Sequence, residues 1–452
     1  KQTGIKHKIK KDTIKYFGEK IPFDLTKSQK KVINEIFKDM SKESPMKRLL
    51  QGDVGSGKTI VAAAAVYATI NSLNQAVLMA PTEVLAEQHF TSLSKILIFN
   101  NIEIHLLTSS VTDRGKIMQT INDGTPALII GTHALIQDNI KFKNLGLAVI
   151  DEQQRFGVEQ RKKLTSDLKD TPHQLVMTAT PIPRTTALAI YGDLDLSIID
   201  ELPPGRKSIK SILYEGTKED SDSIFKICEK HLKNNSQVFI VCPFIEESEK
   251  LDIKAAEDVY KQYKEKFKDY KVEILHGKIN SDEKEEIMKN MNNNKIDILV
   301  STVVIEVGID IPNASLMIIE SAERFGLNQL HQLRGRVGRG EKKSDCIFHI
   351  TDGKKMETIT EVGNKRLKAI VENNDGFKLS EIDLQIRGEG KVTGTNQSGM
   401  SELKIADIRY DYEILQSSKK YFENNITTKN YSIIQEEAKL LFPNFAKVED
   451  ST

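Results

Sequence analysis

The eight residues GDVGSGKT, from Gly52 to Thr59, constrain the fold of this chain more than any other stretch of it. An apolar run, MKRLLQG, leads into them and an alanine-rich stretch, IVAAAAVYATINSL, follows, which predicts a strand, a tight loop and a helix. The pattern G-x-x-x-x-G-K-T is typical of loops whose backbone N–H groups surround phosphate oxygens at a helix N-terminus. The pattern therefore favours an α/β fold.

The loop predicts a site for a nucleoside triphosphate. Its glycines leave space for phosphate oxygens, its lysine places a positive charge beside the β and γ phosphates, and its threonine hydroxyl is a ligand for Mg²⁺. A chance glycine-rich turn is the alternative, but all fixed positions and their strand–helix context are present. The loop by itself fits kinases, GTPases, transporters and motors alike. The predicted nucleotide-binding residues are Gly52, Asp53, Gly55, Ser56, Gly57, Lys58 and Thr59.

Apolar runs of strand length alternate with helical stretches along most of the chain. Those of the first half are MKRLLQG, QAVLMAP, IEIHLLTS, PALIIGT, LGLAVIDE and HQLVMTAT. A connector with Pro203, Pro204 and Gly205 interrupts the alternation, which resumes with QVFIVCPF, VEILHGK, IDILVST, ASLMIIES and DCIFHIT. Such alternation predicts doubly wound parallel sheets. We expect α/β domains over residues 26–204 and 205–353, a linker over 1–25, and a helical region with a glycine-rich loop over 354–452.

The charge balance limits the classes of partner. The 65 basic and 64 acidic residues give a net charge of +1, so any polyanion site must come from local clusters of Lys and Arg. The three cysteines form no C-x-x-C pair, which excludes a Cys-rich zinc module and a disulfide framework. No apolar run is long enough to cross a bilayer, so we expect a cytoplasmic protein without membrane partners. The sequence begins at Lys1, and we expect it to be part of a longer chain.

Two adjacent carboxylates, Asp151 and Glu152, follow the apolar strand in LAVIDEQQRFG. Acidic pairs often end strands simply because loops are solvated. In a sheet that also contains a phosphate loop, however, Asp151 can hold Mg²⁺ and Glu152 can polarise the water that attacks the γ-phosphate. The pair therefore favours a hydrolase over a kinase.

Two further segments contain candidate residues. VMTATPIPR, with Thr178 and Thr180, is either a turn or a switch segment, and spacing alone does not decide between them. HQLRGRVGRG contains Arg334, Arg336 and Arg339. An arginine-rich run is usually a solvated face. Alternatively, guanidinium groups that project at a nucleotide would act as arginine fingers and stabilise charge on the transferring phosphoryl group.

Taken in order, these motifs resemble those of superfamily 2 helicases and translocases, over roughly residues 21–350. APTEVLAEQH, LLTSS and GTHAL match the strand-gripping segments of that superfamily, TAT its coupling motif and HQLRGRVGR its last motif. The resemblance implies ATP bound with Mg²⁺ between two RecA-like P-loop domains, with Gln29 of FDLTKSQ reading adenine. It implies roles toward the nucleotide for Gly308, Asp310, Gln332, Arg336 and Arg339, and roles in nucleic-acid contact or coupling for Thr82, Thr178, Thr180 and Thr302.

A finer resemblance is to the RecG family, and its residues are QGDVGSGKT, DEQQRFGVEQR, MTATPIPRT, GDLDLSIIDELPPGR and VCPFIEES. GFKLSEIDLQIRGEGKVTGTNQSG resembles the translocation motif that RecG shares with Mfd, which implies coupling roles for Arg387 and Gln397. The resemblance implies an ATP-driven translocase on double-stranded DNA that remodels stalled forks and Holliday junctions in repair and recombination. It further implies a monomer in the bacterial cytoplasm and nucleoid, with single-strand-binding protein as another partner.

The chain departs from the RecG pattern at several positions. Gln154 stands where His is usual, Glu389 and Lys391 stand where a proline and an acidic residue are more typical, and Asn396 stands where Arg is expected. We expect no counterpart of the family's N-terminal wedge domain in this sequence, because its first residues, KQTGIKHKIKKDTIKYFGEKIPF, resemble the linker that follows that domain. We expect the chain to retain ATPase activity and duplex binding but to lose much junction selectivity.

Three other interpretations fit the sequence less well. The motor module of Mfd usually reads GDVGFGKTE and DEEQRFG, where this chain has Ser56, Ile60 and Gln153. A nucleic-acid clamp without productive hydrolysis would require damage at Lys58, Glu152 or Arg339, and all three residues are intact in the sequence. A P-loop phosphotransferase does not account for the second sheet and its arginines.

Overall fold

The computed structural model describes residues 3–10, 12–109, 111, 114–137, 140–152, 170–183, 194–203, 208–243, 249–302, 311, 313–338, 340, 342–351 and 353–387, with isolated positions between 413 and 437. The chain passes from one compact unit to a second between Glu201 and Leu202. In the part of the chain that the structure describes, no helix is long and apolar enough to span a membrane.

The first unit contains a seven-stranded sheet. Its strands are β1 (Lys47–Gly52), β2 (Gln75–Met79), β3 (Glu103–Leu107), β4 (Ala127–Gly131), β5 (Leu145–Asp151), β6 (His173–Thr178) and β7 (Asp195–Ile199). They lie in the order β3-β4-β2-β5-β6-β1-β7, and every pairing is parallel. All strands therefore end at one edge, which is where ligands bind in sheets of this kind.

The helices of the first unit pack along this sheet. They are α1 (Thr13–Lys20), α2 (Lys27–Met40), α3 (Lys58–Asn71), α4 (Glu83–Ile96) and α5 (Gly115–Asp123). Every residue of α3 from Ile60 to Ile70 is buried. Its run of alanines lets α2 and α4 pack closely against it, so the helix that follows the phosphate loop is held firmly in the unit.

The second unit has the same type of architecture, with a six-stranded sheet. Its strands are β8 (Lys210–Tyr214), β9 (Gln237–Cys242), β10 (Val272–Leu275), β11 (Ile298–Thr302), β12 (Ala314–Ile319) and β13 (Asp345–His349). They lie in the order β10-β11-β9-β12-β13-β8 and pair in parallel. Its helices are α6 (Lys218–Lys233), α7 (Glu249–Lys266), α8 (Ser281–Asn292), α9 (Leu327–Arg334), α10 (Glu361–Glu372) and α11 (Gly376–Arg387).

The two parallel sheets with flanking helices confirm the predicted fold class. The apolar runs of the first half are β1–β6 and those of the second half are β9–β13. Sequence reasoning missed β7 and β8. Each is an edge strand and is only partly buried, and each begins with an exposed charged residue, Asp195 in β7 and Lys210 in β8. Edge strands commonly contain charged and polar residues, so they present no continuous apolar run.

Residues 3–10, which the sequence predicts as linker, pack against the first unit. The N–H of Gly4 donates to the carbonyl of Glu43 at 2.7 Å, and the N–H of His7 donates to that of Met40 at 2.9 Å. The His7 side chain is only 2 % exposed. This segment therefore belongs structurally to the first unit.

The second unit continues past the predicted boundary at residue 353. Leu367 and Ile370 of α10 and Leu379 of α11 are fully buried in the same apolar cluster as residues of β11 and β12. The start of the predicted C-terminal region is thus part of the core of the second unit.

Candidate nucleotide and coupling site

The phosphate loop lies between the end of β1 and the first turn of α3. Gly57 is the N-cap residue of α3 with φ +87, and Gly55 has φ +76, in the left-handed region that glycine enters without steric cost. Because the N-cap is glycine, no cap side chain bonds to the first N–H groups of the helix. The N-terminus of α3, with its partial positive charge, is therefore suited to an anion.

The loop packs so closely that two of its glycines have no room for a side chain. A Cβ at Gly52 would overlap Oγ of Ser56, and one at Gly57 would overlap Nε2 of Gln29. Ser56 is 1 % exposed, and its Oγ has no hydrogen-bond partner in the structure as described. A buried hydroxyl of this kind calls for an explanation. A bare backbone cradle with a buried hydroxyl fits the phosphate groups of a nucleotide.

Two side chains bond to the backbone of this loop. Nζ of Lys58 donates to the carbonyl of Gly52 at 2.8 Å. Nε2 of Gln29, a residue 3 % exposed, donates to the carbonyl of Ser56 at 2.9 Å, and its Oε1 accepts from the Thr26 N–H at 2.9 Å. Gln29 thereby links the start of α2 to the phosphate loop. Its contact with adenine stays a prediction.

Asp53 and Thr59 are two further residues of the loop that the sequence predicts to bind the nucleotide. Oδ1 of Asp53 accepts a hydrogen bond from the Val54 N–H at 2.6 Å. Thr59 is half-buried in the first turn of α3. Its hydroxyl lies one residue after Lys58, as the motif requires of a Mg²⁺ ligand.

Asp151, the last residue of β5, bonds to a histidine of α4. Oδ2 of Asp151 lies 2.8 Å from Nε2 of His89, and both residues are 8 % exposed. Since a carboxylate oxygen only accepts, Nε2 of His89 is the donor. The hydrogen bond fixes the orientation of the carboxylate at the carboxyl end of the sheet.

Glu152 bonds to the segment that follows β6. Its N–H donates to the carbonyl of Met177 at 3.0 Å, and its Oε1 accepts from the Ala179 N–H at 3.2 Å. In the same segment the hydroxyls of Thr178 and Thr180 lie 2.7 Å apart. The predicted hydrolytic carboxylate and the predicted switch segment are therefore in direct contact.

The predicted strand-gripping segments follow β2, β3 and β4, at the same edge of the sheet. Thr82, half-buried, caps α4: its Oγ1 accepts from the Leu85 N–H at 3.3 Å. Oε1 of Glu83 accepts from the Ser109 N–H at 3.0 Å and also bonds to the Ser109 hydroxyl. The segment after β3 is thus attached to the N-terminus of α4.

Arg334 corrects one of the arginine predictions. It is 2 % exposed, and its Nη1 donates to the carbonyls of Ile370 at 2.7 Å and Asn373 at 2.9 Å. Its Nη2 lies 2.9 Å from Nδ1 of His331. Burial lowers the pKa of the guanidinium. Arg334 ties α9 to the end of α10 and is not an arginine that projects outward.

The other predicted residues of the second unit differ in exposure. Gln332 and Arg336 are half-buried and, with Gln329 and Leu333, line a small recess. Thr302 ends β11 and is 0 % exposed. A contact of its hydroxyl with DNA would therefore need the surrounding residues to rearrange, because the side chain has no surface of its own.

Several predicted residues lie outside the described part of the chain. These are Gln153, Gln154, Gly308, Asp310, Arg339, Glu389, Lys391, Asn396 and Gln397. Arg387 is the last residue of α11, and its side chain is likewise outside what the structure describes.

His89 was not singled out from the sequence. It shares the buried face of α4 with Leu85, Ala86 and Leu93, at the i, i+3 and i+4 spacing of an amphipathic helix. A histidine at a position otherwise occupied by apolar residues needs a buried partner. A histidine among the apolar positions of a helix is therefore a sequence signal for a buried hydrogen bond, although it does not identify the partner residue.

The metal requirement of such a site is modest. The described ranges contain no group of three or more His, Cys, Asp and Glu side chains that could hold a metal ion. Mg²⁺ at a nucleotide site usually takes one or two protein ligands and completes its shell with phosphates and water. Asp151 and Thr59 therefore fit such an ion without a larger cluster.

Three family models match the chain in sequence order. The DEAD/DEAH box helicase model covers residues 26–188, and the helicase conserved C-terminal domain covers residues 222–341. The C-terminal part of domain 3 of ATP-dependent DNA helicase RecG covers residues 373–451.

Relatives match nearly the whole chain. It is 46 % identical to ATP-dependent DNA helicase RecG of Bacillus subtilis over 96 % of this chain and 64 % of the relative. It is 48 % identical to that of Aquifex aeolicus over 94 % of this chain and 54 % of the relative. The chain thus spans between about half and two thirds of the length of these relatives.

Comparison with solved structures also identifies RecG as a similar protein. A structure of RecG bound to a three-way DNA junction matches with a TM-score of 0.76 and 40 % identity, over 92 % of this chain and 53 % of that one. Yeast Dbp5 bound to RNA matches in fold alone, with a TM-score of 0.54 and 18 % identity over 79 % of this chain and 92 % of that one. With the ordered family matches and these identities, the chain belongs to the RecG family.

Proposed function

We propose that this chain is the motor of an ATP-dependent translocase on double-stranded DNA that remodels stalled forks and Holliday junctions. The observation that carries the proposal is the pair of contacts at the end of β5. Asp151 bonds to α4, whose N-terminus lies in one strand-gripping segment and bonds to the segment after β3, and Glu152 bonds to the switch segment after β6. Two carboxylates suited to hydrolysis are thus each in contact with a segment that can respond to it.

For the nucleotide, we assign the loop from Gly52 to Thr59 to the phosphates of ATP and Gln29 to the adenine side of the site. The close-packed glycines and the N-terminus of α3 support the phosphate assignment. Lys58 exchanges its bond to the Gly52 carbonyl for a phosphate oxygen when ATP binds.

For the metal, we assign Asp151 and Thr59 as the side chains that hold Mg²⁺. The bound ion supplies positive charge that offsets charge on the phosphates during transfer. His89 keeps the Asp151 carboxylate in one orientation through the 2.8 Å bond. A partner of this type sharpens the position of a metal ligand.

For hydrolysis, we assign Glu152 as the general base that orients the attacking water and accepts its proton. Its Oε1 accepts from Ala179, so a change at the carboxylate alters a bond to the switch segment directly. Thr178 and Thr180 of that segment are assigned to coupling.

For the second unit, we assign Gln332, Arg336 and Arg339 to the nucleotide phosphates, and Gly308 and Asp310 to support of that site. Thr82, Thr302, Arg387 and Gln397 are assigned to DNA contact or to coupling. The half-buried positions of Gln332 and Arg336 support the first assignment, because their side chains are accessible in a recess. The match of residues 373–451 to RecG domain 3 supports the assignment of Arg387 and Gln397.

For partners, we propose branched double-stranded DNA as substrate and single-strand-binding protein as a further contact. The structural relative bound to a three-way junction supports the substrate class. We propose a monomer that acts in the cytoplasm at the nucleoid. We propose a first domain over 26–204 together with residues 3–10, and a second domain from 205 that includes α10 and α11, with the coupling region after them.

The test is ATP turnover by the parent chain, with and without forked DNA. Turnover should rise with DNA and be lost in Lys58→Ala, because the loop then lacks its positive charge. Lys254→Ala, which changes an exposed lysine of α7, is the matched control and should behave as the parent. DNA affinity should fall steeply as the salt concentration rises. The logarithm of the association constant should decrease linearly with the logarithm of the salt concentration, with a slope of about 0.9 for each phosphate contact. Equal turnover with and without DNA would contradict the proposal.

A further inference from the structure

Among the polar contacts that attach helix α4 to neighbouring segments, one lies at its N-terminus and another near its middle. At the N-terminus, Glu83 holds the backbone N–H of Ser109 at 3.0 Å. Near the middle, Nε2 of His89 bonds to Oδ2 of Asp151 at 2.8 Å. The two attachments are six residues apart on one helix, which corresponds to about 9 Å along its axis.

The two attachments differ in environment. Ser109 is exposed and follows β3, among the segments assigned to DNA. His89 and Asp151 are each 8 % exposed, so little water competes for their hydrogen bond. The helix therefore connects an accessible edge with a buried carboxylate.

We propose that His89 is a positioning residue that transmits DNA contact at the N-terminus of α4 to the Asp151 carboxylate. The inference rests on the proposed function. DNA held by Thr82 and by the segment with Ser109 shifts α4 as a rigid body, and His89 moves with it. Asp151 then turns with its donor, so the geometry of the hydrolytic site depends on whether DNA is bound.

The size of the required shift is small. A hydrogen bond of 2.8 Å is weakened when donor and acceptor separate beyond about 3.5 Å, so a movement below about 1 Å is enough. Close packing makes this transmission efficient, because the face of α4 that contains His89 is also lined by buried apolar residues, and a close-packed face does not absorb a shift of the helix. Leu85, Ala86 and Leu93 are the buried residues that restrain it.

A purely structural role is the competing explanation, since a buried histidine–carboxylate bond also stabilises a fold. The two roles differ in what they predict for coupling. A structural bond changes stability alone, whereas a transmitting bond changes the factor by which an ATP analogue alters DNA affinity. That factor is reciprocal, so DNA must alter nucleotide affinity to the same extent.

The experiment compares His89→Leu with His89→Gln. Leucine fills the buried site but donates no hydrogen bond, while the glutamine amide can donate from nearly the position of Nε2. Anisotropy of a labelled duplex, with and without a non-hydrolysable ATP analogue and Mg²⁺, gives the coupling factor. Steady-state turnover with forked DNA gives kcat and KM for ATP, and circular dichroism gives the thermal midpoint.

In His89→Leu we expect the coupling factor to fall toward one and kcat to fall about tenfold, the low end of effects at partners of metal ligands, with KM for ATP within about twofold. His89→Gln should recover most of both. His105→Leu is the matched control, because His105 also contacts a carboxylate, Glu103 at 3.1 Å, within the same unit. It should keep the coupling factor of the parent.

Two results would overturn the inference. One is a parental coupling factor in His89→Leu. The other is a loss in His89→Gln as large as that in His89→Leu, which would indicate packing rather than the hydrogen bond. If ATP turnover by the parent chain does not change when DNA is added, the proposed function itself is refuted. The inference then loses its basis as well.

Discussion

The Glu152 carboxylate accepts a hydrogen bond from the Ala179 N–H at 3.2 Å, which joins the residue after β5 to the segment after β6. Glu152 also has φ +51, a conformation that costs a non-glycine residue about 1–2 kcal/mol. The bond from its own N–H to the Met177 carbonyl, at 3.0 Å, helps to hold it there. The backbone thus places this carboxylate at some cost, as is common at functional sites.

Glu152→Gln should abolish most ATP turnover and leave nucleotide binding in place. The amide oxygen can still accept from Ala179, but the side chain no longer accepts a proton from water. We expect kcat to fall by about 10²–10⁴, the usual contribution of a general base. Turnover with forked DNA and anisotropy of a fluorescent ATP analogue measure the two effects. Glu265→Gln, at an exposed position of α7, is the control. A decrease of less than about tenfold would exclude Glu152 as the base.

Gly57→Ala should weaken ATP binding. Gly57 has φ +87, and a Cβ added there would overlap Nε2 of Gln29. Gly353→Ala is a matched control, since Gly353 has φ +79 but nothing within 4 Å of an added Cβ. Both substitutions cost about 1–2 kcal/mol for the left-handed backbone, but only the first distorts the loop. Binding of a fluorescent ATP analogue should weaken by at least about tenfold in Gly57→Ala alone, which corresponds to about 1.4 kcal/mol. Equal losses in both variants would show that backbone strain, and not the loop contact, is responsible.

Arg334→Leu should destabilise the second unit. The guanidinium bonds to the carbonyls of Ile370 and Asn373, and leucine leaves both acceptors without it. We expect the free energy of unfolding to fall by about 2–6 kcal/mol, from two buried acceptors at about 1–3 kcal/mol each. Arg324→Leu, at an exposed position, should change it by about 0.5 kcal/mol or less. Thermal unfolding followed by circular dichroism distinguishes the two, and identical midpoints would contradict the buried role of Arg334.

His7 should make the stability of the chain fall in mild acid. Burial, with repulsion from His173, lowers the pKa of His7 from 6.5 to about 4. The unfolded chain therefore takes up a proton first as the pH decreases. The contribution of neutral His7 is complete above pH 6.5 and is lost progressively down to about pH 4. From pH 7.5 to pH 5 we expect a loss of about 2 kcal/mol from this residue.

Urea unfolding at the two pH values measures this loss. Circular dichroism is the suitable probe because the chain contains no tryptophan. His7→Phe should unfold with a shallower pH dependence than the parent, whereas His133→Phe, at an exposed position, should keep the parental dependence. A parental dependence in His7→Phe would mean that His7 does not titrate as its burial implies.

Sequence patterns predicted what depends on local chemistry. The glycines and the lysine of the phosphate loop have fixed spacing because backbone geometry and phosphate size demand it, so the loop, its strand and its helix were predicted correctly. Central strands such as β2 and β5 are apolar on both faces and stand out as continuous runs. The edge strands β7 and β8 lack that signal and were missed.

Contacts between distant side chains were beyond such patterns. Arg334 and Arg336 look alike in HQLRGRVGRG, yet Arg334 lies on the inner face of α9 with Leu330 and His331 while Arg336 follows the helix. Likewise, His89 and Asp151 are 62 residues apart in sequence, and their contact depends on how α4 packs on the sheet. Only the assembled unit determines such pairs.

β5 lies in the middle of the first sheet, between β2 and β6. On one side are the strands that lead to the phosphate loop and the switch segment, and on the other are those that lead to the strand-gripping segments. Alleles defective only in nucleotide use should therefore map to β1 and β6, and alleles defective only in DNA attachment to β3 and β4. Alleles whose products hydrolyse ATP without producing movement should concentrate at β5 and α4. A genetic selection for uncoupled mutants would therefore identify this strand as the boundary between ATP hydrolysis and DNA attachment.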